Sequence, residues 1–204
     1  MQPLSPFPWF DAATILVLIA INGVFAMSEL AIVSARAAKL KAMADSGTRG
    51  ANTALRLARD PGKFLSTVQI GITLIGIIAG AYSGSTLGEP MGQRLAYLGV
   101  PADWADTLGF GIVISITTYA SLVIGELVPK QFALVSPERI VVFVAGPMEM
   151  LSRITAPIVW LLDRSSALIF RMLGMQRDSR EALTTEELRK VFAEATHAGI
   201  IEEH

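Results

Sequence analysis

The sequence predicts an all-α integral membrane protein with three transmembrane helices and additional helices in the membrane interface. Of the 204 residues, 52% are hydrophobic and only 17% are charged. The mean hydropathy of +0.51 is higher than soluble domains usually have. Three stretches are long enough to cross a hydrocarbon core of about 30 Å. The net charge of -1 provides no basic surplus, so nucleic acid is not an expected partner. The expected surroundings of the apolar stretches are the lipid bilayer.

The three predicted spans belong to a transmembrane core over residues 1–135. They are residues 12–35, 64–87 and 107–128. Glu29 is the only charge in the first span, the second has none, and Glu126 is the only charge in the third. No basic residue precedes Arg36, which is unlike a signal peptide, so we expect the first span to be a mature helix.

The distribution of lysine and arginine predicts the orientation. Residues 36–63 contain seven basic and two acidic side chains, whereas residues 89–106 contain one and three. Basic short segments face the cytoplasm, so the N-terminus is expected outside and the C-terminus inside a bacterial inner or plasma membrane. The basic segment is predicted to be helical and amphipathic, with an interruption at Ser46 and Gly47.

Residues 136–175 form the predicted interfacial region. Its apolar pieces, residues 140–148 and 154–162, are too short to cross a membrane. Prolines separate them, so we predict two helices lying in the cytoplasmic interface. The alternative is one bent fourth span, which would place Glu149 and Arg153 near its middle at a cost of about 2.5 to 3.5 kcal/mol each.

Residues 176–204 are polar and acidic and are predicted to begin a cytoplasmic helical linker. Thr184 and Glu187 form a capping box, so a helix is expected from about Thr185 to near Gly199. We expect the chain to stop before a further cytoplasmic domain.

The motif from Gly125 to Lys130 is the strongest indication of chemistry. Pro129 has no amide hydrogen, so it cannot bond the carbonyl of Gly125, and we expect a helix break there. A free carbonyl beside the Glu126 carboxylate resembles the oxygen ligands of Mg²⁺, Ca²⁺ or Na⁺. The alternative is that Glu126 lies at the interface, where Pro129 and Lys130 merely end the helix.

Polar residues of the first span are the second indication. Asn22, Ala26 and Glu29 share one helix face. Asn22 needs a partner in the membrane, either a neighbouring helix or a cation. Ser28 is a further candidate ligand, although its hydroxyl can instead bond its own helix. Glu29 can pair with Lys130 or Arg36.

The second span carries a stripe of small and polar residues. These are Ser66, Gln69, Thr73, Gly76, Gly80 and Gly84. Ser66 and Gln69 lie at the depth of Glu126 and are candidate metal ligands, whereas the glycines predict helix packing. The third span has a weaker polar stripe of Ser115, Thr118 and Ser121.

No enzyme signature is present, so an enzyme is not expected. The sequence lacks a phosphate-binding glycine loop, a Gly-x-Ser-x-Gly nucleophile motif and a His-Glu-x-x-His motif. It also has no cysteine, which excludes thiolate chemistry.

Three ordered motifs carry a family resemblance. They are Phe25-Ala-Met-Ser-Glu-Leu, Leu65-Ser-Thr-Val-Gln-Ile-Gly-Ile-Thr-Leu-Ile-Gly and Gly125-Glu-Leu-Val-Pro-Lys. With these motifs the chain resembles the transmembrane domain of the CorC/CNNM (cyclin M) family of magnesium transporters. The resemblance extends from about Phe10 through the Thr184-Thr-Glu-Glu-Leu segment.

The resemblance implies a homodimer with three membrane helices per protomer, a belt of interfacial helices, and cytosolic CBS modules that bind ATP beyond this chain. It implies Mg²⁺ export coupled to Na⁺ entry. Glu126 is the implied acidic ligand, Gly125 the carbonyl ligand, and Asn22 faces them. Some relatives have serine where this chain has Ala26, so only the Ala26 carbonyl remains as a ligand there.

The mechanism we expect is alternating access, with Mg²⁺ bound in a cavity between the three helices. The lining residues would be Asn22, Ser28, Ser66, Gln69 and Glu126. The second and third spans are expected to form most of the dimer contact. The alternative is a membrane regulator that senses Mg²⁺ without transporting it.

Overall fold

The structure, a computed structural model, describes residues 5–173, and that part of the chain is helical without strands. The helices are α1 (Trp9–Ser34), α2 (Ala37–Asp45), α3 (Ala51–Arg59), α4 (Gly62–Tyr97), α5 (Ala102–Leu122), α6 (Val128–Val135) and α7 (Pro137–Met172). A π-helical turn, Val123–Leu127, joins α5 directly to α6. The predicted helix of residues 185–199 lies outside the described residues.

Within residues 5–173, four helical segments are long and apolar enough to cross a membrane, judged by length and composition. They are Trp9–Ser34, Gly62–Tyr97, Ala102–Val135 and Pro137–Met172. The first three correspond to the three expected spans: Trp9–Ser34 ends one residue before the predicted end, and the other two extend well beyond their predicted bounds. Helix α4 continues ten residues beyond Leu87, because a helix can extend into the polar region after its apolar stretch ends.

Helix α7 corrects the prediction of two short interfacial helices. It is one helix of 36 residues, with Pro147 and Pro157 inside it. A proline removes one backbone hydrogen bond and can kink a helix without ending it. Glu149 pairs with Arg56 and Arg153, each at 3.1 Å, which reduces the charge penalty that argued against a continuous helix. The fourth candidate span is therefore this helix.

The chain divides into two units, residues 1–159 and the part from residue 160 onward. In the first unit, six helices share one apolar core at the end of the bundle where α2 and α3 lie. The core residues are Phe25, Ala31, Ile32, Leu40, Ala54, Phe64, Val68, Ala133, Val141, Val144, Ala145 and Met148. Helix α5 contributes none of them.

The connection between α2 and α3 confirms the predicted interruption. Helix α2 ends at Asp45 and α3 begins at Ala51. Gly47 and Gly50 have positive φ angles of 79° and 83°, a conformation that glycine adopts readily.

The buried carboxylate of Glu138, at the start of α7, accepts a hydrogen bond from Lys39 at 3.0 Å. This ion pair ties α7 to α2.

Helices α4 and α5 approach closely through glycine. A Cβ atom on Gly109 would lie 2.8 Å from the carbonyl oxygen of Gly88 and 2.8 Å from the Cα of Gly92. The ring of Phe110 covers Gly84, where a Cβ would meet it at 2.6 Å. Small residues allow such close backbone contact between membrane helices.

Candidate cation site

The π-helical turn lies where the sequence suggested a helix break. The Val128 amide donates to the carbonyl of Val123, five residues earlier. Pro129 lies in the first turn of α6, and the helix continues to Val135. The regular α-helix is therefore interrupted in the expected region, but by a π turn and not by a break at Pro129, because the wider turn accommodates the missing amide hydrogen without ending the helix. π turns of this kind are frequent at functional sites.

Helix α1 packs directly against this turn. The Asn22 side-chain amide donates a hydrogen bond of 3.1 Å to the carbonyl oxygen of Gly125. A Cβ on Gly23 would lie 3.0 Å from the ring of Pro129, so glycine permits this approach. The two elements are held together by one polar contact and close packing.

The other polar atom of Asn22 is unpaired. The side chain is 4% exposed, and its Oδ1 atom has no hydrogen-bond partner among residues 5–173. Sequence reasoning left two roles open for Asn22, a hydrogen bond to a neighbouring helix or a contact to a cation. The structure uses Nδ2 for the first and leaves Oδ1 available for the second.

A cleft of about 200 Å³ opens beside Asn22, between α1, α4 and α5. Its lining residues are Asn22, Ile72, Gly76, Ala79, Gly80, Thr117, Thr118, Ser121, Leu122 and Glu126. One carboxylate, one amide and three hydroxyl groups therefore border a single space. This volume accommodates a cation together with several water molecules, each of which takes about 30 Å³ in the liquid.

Lys130 connects the two glutamates of the region. Its ammonium nitrogen lies 2.8 Å from Oε1 of Glu126 and 3.5 Å from Oε2 of Glu29. The three side chains are between 23% and 34% exposed. The pair of Glu29 with Lys130 is one that the sequence suggested, whereas the shorter pair of Lys130 with Glu126 was not anticipated.

The site is poor in charged ligands. In residues 5–173, no group of three or more histidine, aspartate, glutamate or cysteine side chains is arranged to hold a metal ion. Any cation in the cleft would therefore meet one carboxylate and neutral oxygen atoms. Such a ligand set suits Mg²⁺ or another hard cation that keeps part of its water shell.

Five residues from the expected ligand set do not border the cleft. Gly125 is buried, and its carbonyl accepts the hydrogen bond from Asn22. Ser28 is buried and donates a 2.6 Å hydrogen bond to the Val24 carbonyl of its own helix, the alternative considered for it. Ala26 is also buried, Ser66 is half-buried and Gln69 is exposed, and none of the three lines the cleft.

Two glycines have a different environment from the packing role predicted for them. Nothing lies within 4 Å of the Cβ position of Gly76 or Gly80, and both border the cleft. Gly84, the third member of that stripe, does pack, against Phe110. Within one chain, the glycine stripe is therefore part cleft wall and part helix contact.

Thr117 is the polar lining residue that sequence reasoning missed; the apolar lining residues Ile72, Ala79 and Leu122 were not predicted either. In a regular α-helix, residues four apart share one face, so Thr117 and Ser121 would share a face with Gly125 and not with Glu126. The π turn inserts one residue into this spacing and brings Glu126 to the same cleft. No periodicity signal in the sequence reveals such a shift. Thr118 and Ser121 belong to the polar stripe noted in the third span.

Comparison with known proteins supports the resemblance seen in the sequence. The family model described as "Cyclin M transmembrane N-terminal domain" matches residues 13–204. The UPF0053 protein sll0260 of Synechocystis sp. is 43% identical over 189 residues, which cover 93% of this chain and 42% of the relative.

Two further relatives cover similar shares. The UPF0053 protein YhdT of Bacillus subtilis is 32% identical over 192 residues, 91% of this chain and 41% of its own length. The polyamine export protein of Escherichia coli (strain K12) is 28% identical over 187 residues, 92% of this chain and 42% of its own length. The chain thus spans about two fifths of the length of these relatives.

Proposed function

Since this chain belongs to the cyclin M transmembrane domain family, we propose that it exports Mg²⁺ by alternating access, with Na⁺ entering in exchange. The observation that carries this proposal is the unpaired Oδ1 atom of Asn22, buried at a cleft that Glu126 also borders. A membrane transport role agrees with the family and with the multiple apolar helices.

A cation would satisfy the Asn22 Oδ1 atom, which has no hydrogen-bond partner among the described residues. A buried polar atom without a partner costs about 1 to 3 kcal/mol, so natural structures rarely retain one without a reason. An amide oxygen and a carboxylate are both ligands that hard cations prefer. The Gly125 carbonyl accepts the Asn22 hydrogen bond and does not border the cleft, so the proposal relies on the amide oxygen and the carboxylate.

The small number of charges favours transport over permanent binding. Mg²⁺ releases its water reluctantly and requires near-octahedral geometry at about 2.0 to 2.1 Å. One carboxylate with neutral oxygens can replace part of the water shell without holding the ion irreversibly. A monovalent Na⁺ would interact less strongly with Glu126, which suits an exchange cycle.

The π turn is the element we propose to move. Converting it to α-helix would remove the one-residue shift and rotate Glu126 away from Thr117 and Ser121. That rotation would separate the carboxylate from the other oxygens and release the ion. A helix with an irregular turn at membrane depth is a common feature of transporter sites.

A homodimer is part of the proposal, because the transport path needs protein on all sides. Large apolar side chains of α4 and α5 remain exposed in the single chain, including Ile77 at 64%, Ile116 at 58% and Tyr119 at 71%. We expect α4 and α5 to form the dimer contact. Engineered cysteines that cross-link only through α1 positions would contradict this arrangement.

A second candidate is the export of an aliphatic polyamine. The ammonium group of Lys130 already binds Glu126 at 2.8 Å, so a primary ammonium fits this carboxylate. Ile72, Ala79 and Leu122 give the cleft apolar walls for methylene groups. One relative is named a polyamine export protein, which raises this candidate above other organic cations.

Transport in proteoliposomes tests these proposals, with Glu126→Gln as the variant and Glu89→Gln as the control. Glu89 is an exposed glutamate of α4 that follows the cleft residue Gly80 by nine positions and does not border the cleft. We expect Mg²⁺ flux driven by an opposing Na⁺ gradient, lost in the Glu126 variant and retained in the control. Flux of spermidine instead of Mg²⁺ would support the second candidate. Binding of Mg²⁺ through Glu126 without flux would indicate a Mg²⁺-sensing regulator.

A further inference from the structure

Lys130 occupies the carboxylate that a transported cation needs. Its ammonium group donates a 2.8 Å hydrogen bond to Oε1 of Glu126, and this glutamate borders the cleft. The same ammonium lies 3.5 Å from Oε2 of Glu29, which does not border the cleft. One positive charge is therefore shared between a carboxylate at the site and a carboxylate outside it.

The helix geometry makes the contact with Glu126 a local one. Lys130 follows Glu126 by four residues, the spacing and order in which a glutamate and a lysine attract each other on a helix. Glu29 reaches the same ammonium from α1, which packs against α6. A small rotation of the lysine side chain is enough to transfer it from one carboxylate to the other.

Charge counting shows why the lysine must respond to an ion. Two carboxylates and one ammonium sum to -1, so one carboxylate charge is uncompensated before a cation binds. A divalent cation at Glu126 would change this sum to +1, with two positive groups on one carboxylate. Like charges repel strongly where side chains are partly shielded from water, so the lysine cannot remain at Glu126.

We propose that Lys130 is a tethered competitor, which neutralises Glu126 in the empty site and moves to Glu29 when a cation binds. This inference rests on the proposed role of Glu126 as a cation ligand. It assigns Glu29 a function as well, since this carboxylate stabilises the displaced lysine. The competitor lowers the affinity for the cation and speeds its release.

Equilibrium binding of Mg²⁺, measured by titration calorimetry on the full chain in lipid nanodiscs, tests the proposal. Lys130→Gln should bind Mg²⁺ about tenfold more tightly, which is about 1.4 kcal/mol, because the competitor is gone. Glu29→Gln should weaken binding, because Lys130 then has Glu126 as its only partner. The double variant should bind as tightly as Lys130→Gln alone.

Two further variants separate competition from structural support. Lys130→Met keeps the aliphatic stem and should also tighten binding, which protects the test if Lys130→Gln is poorly folded. Lys39→Gln removes a lysine from the pair with Glu138, away from the cleft, and should leave the affinity unchanged. Thermal unfolding without Mg²⁺ verifies that each variant is folded before it is titrated.

The outcomes distinguish this inference from the proposed function. If the wild-type chain does not bind Mg²⁺, or binds it equally well without the Glu126 carboxylate, the proposed function fails. If binding depends on Glu126 but both Lys130 variants bind as weakly as the wild type or more weakly, the lysine is only a structural partner. In that case the competitor proposal is overturned while the site remains.

Discussion

Two close helix contacts of this protein use glycine in different ways. Where α4 crosses α5, Gly88, Gly92 and Gly109 bring the two backbones together, and the side chains of Asp106 and Phe110 pack against them. Where α1 meets the π turn, Gly23 and Gly125 allow a similar approach, but a buried asparagine lies between the elements. The first contact is regular helix on regular helix, and the second includes the irregular turn.

The difference indicates that the α4–α5 contact stabilises the fold, whereas the contact of α1 with the π turn forms part of the candidate cation site. The close backbone packing of α4 on α5 gains van der Waals contact between regular helices. The contact of α1 with the π turn contains an unsatisfied amide oxygen beside an irregular stretch of helix. Such features persist where function requires them. Substitutions at the two contacts should therefore affect different properties.

Gly109→Ala should have the largest effect on stability. Its Cβ would lie 2.8 Å from the Gly88 carbonyl oxygen, and the neighbouring atoms are backbone, which cannot move aside. We expect the free energy of unfolding to fall by about 3 kcal/mol, the upper part of the usual range for overpacking. Unfolding in mixed detergent micelles, followed by circular dichroism, measures this change.

Gly76→Ala is the matched control for this prediction. The same methyl group on α4 would meet nothing within 4 Å in one chain. Alanine is the better helix former, so stability should stay the same or rise by up to about 1 kcal/mol. Equal destabilisation of both variants would contradict the view that the α4–α5 contact depends on close backbone packing.

Asn22→Leu should separate function from stability at the second contact. The substitution removes the unpaired oxygen, which is favourable, and also the hydrogen bond to Gly125, which is unfavourable. We expect the unfolding free energy to change by less than about 1 kcal/mol. Binding of Mg²⁺ should weaken at least tenfold, about 1.4 kcal/mol, because a ligand is lost. Retained affinity would exclude Asn22 as a ligand.

The sequence predicted the parts of this structure that depend on composition. Uninterrupted apolar stretches located α1, α4 and the segment that contains α5 and the residues of the π turn. They did so because the length of a span follows from the thickness of the membrane. The motif around Glu126 and the buried position expected for Asn22 identified two residues that border the cleft. These features are local, so one chain is enough to reveal them.

Features that depend on neighbouring elements were not predictable. Helix α7 continues through Pro147 and Pro157, and its Glu149 pairs with Arg56, which lies 93 residues away in the sequence. The cleft position of Thr117 depends on a π turn whose register shift is invisible to a fixed helical period. Ser28 illustrates the same limit, since nothing local decides between its own backbone and a ligand.

Gly125→Ala should have the smallest of these effects, and it tests whether the π turn positions Asn22. The added Cβ would lie 3.2 Å from the Ile19 carbonyl oxygen and 3.3 Å from the Asn22 amide nitrogen. Both distances are slightly short, so the asparagine side chain must shift by a few tenths of an ångström. We expect Mg²⁺ affinity to fall about threefold, less than 1 kcal/mol, with little change in unfolding. Calorimetric titration beside Gly146→Ala, where the added methyl would meet nothing within 4 Å, provides the comparison. If Gly125→Ala binds as tightly as that control, the position of Asn22 is not set by the turn, and the contrast between the two helix contacts loses its functional meaning.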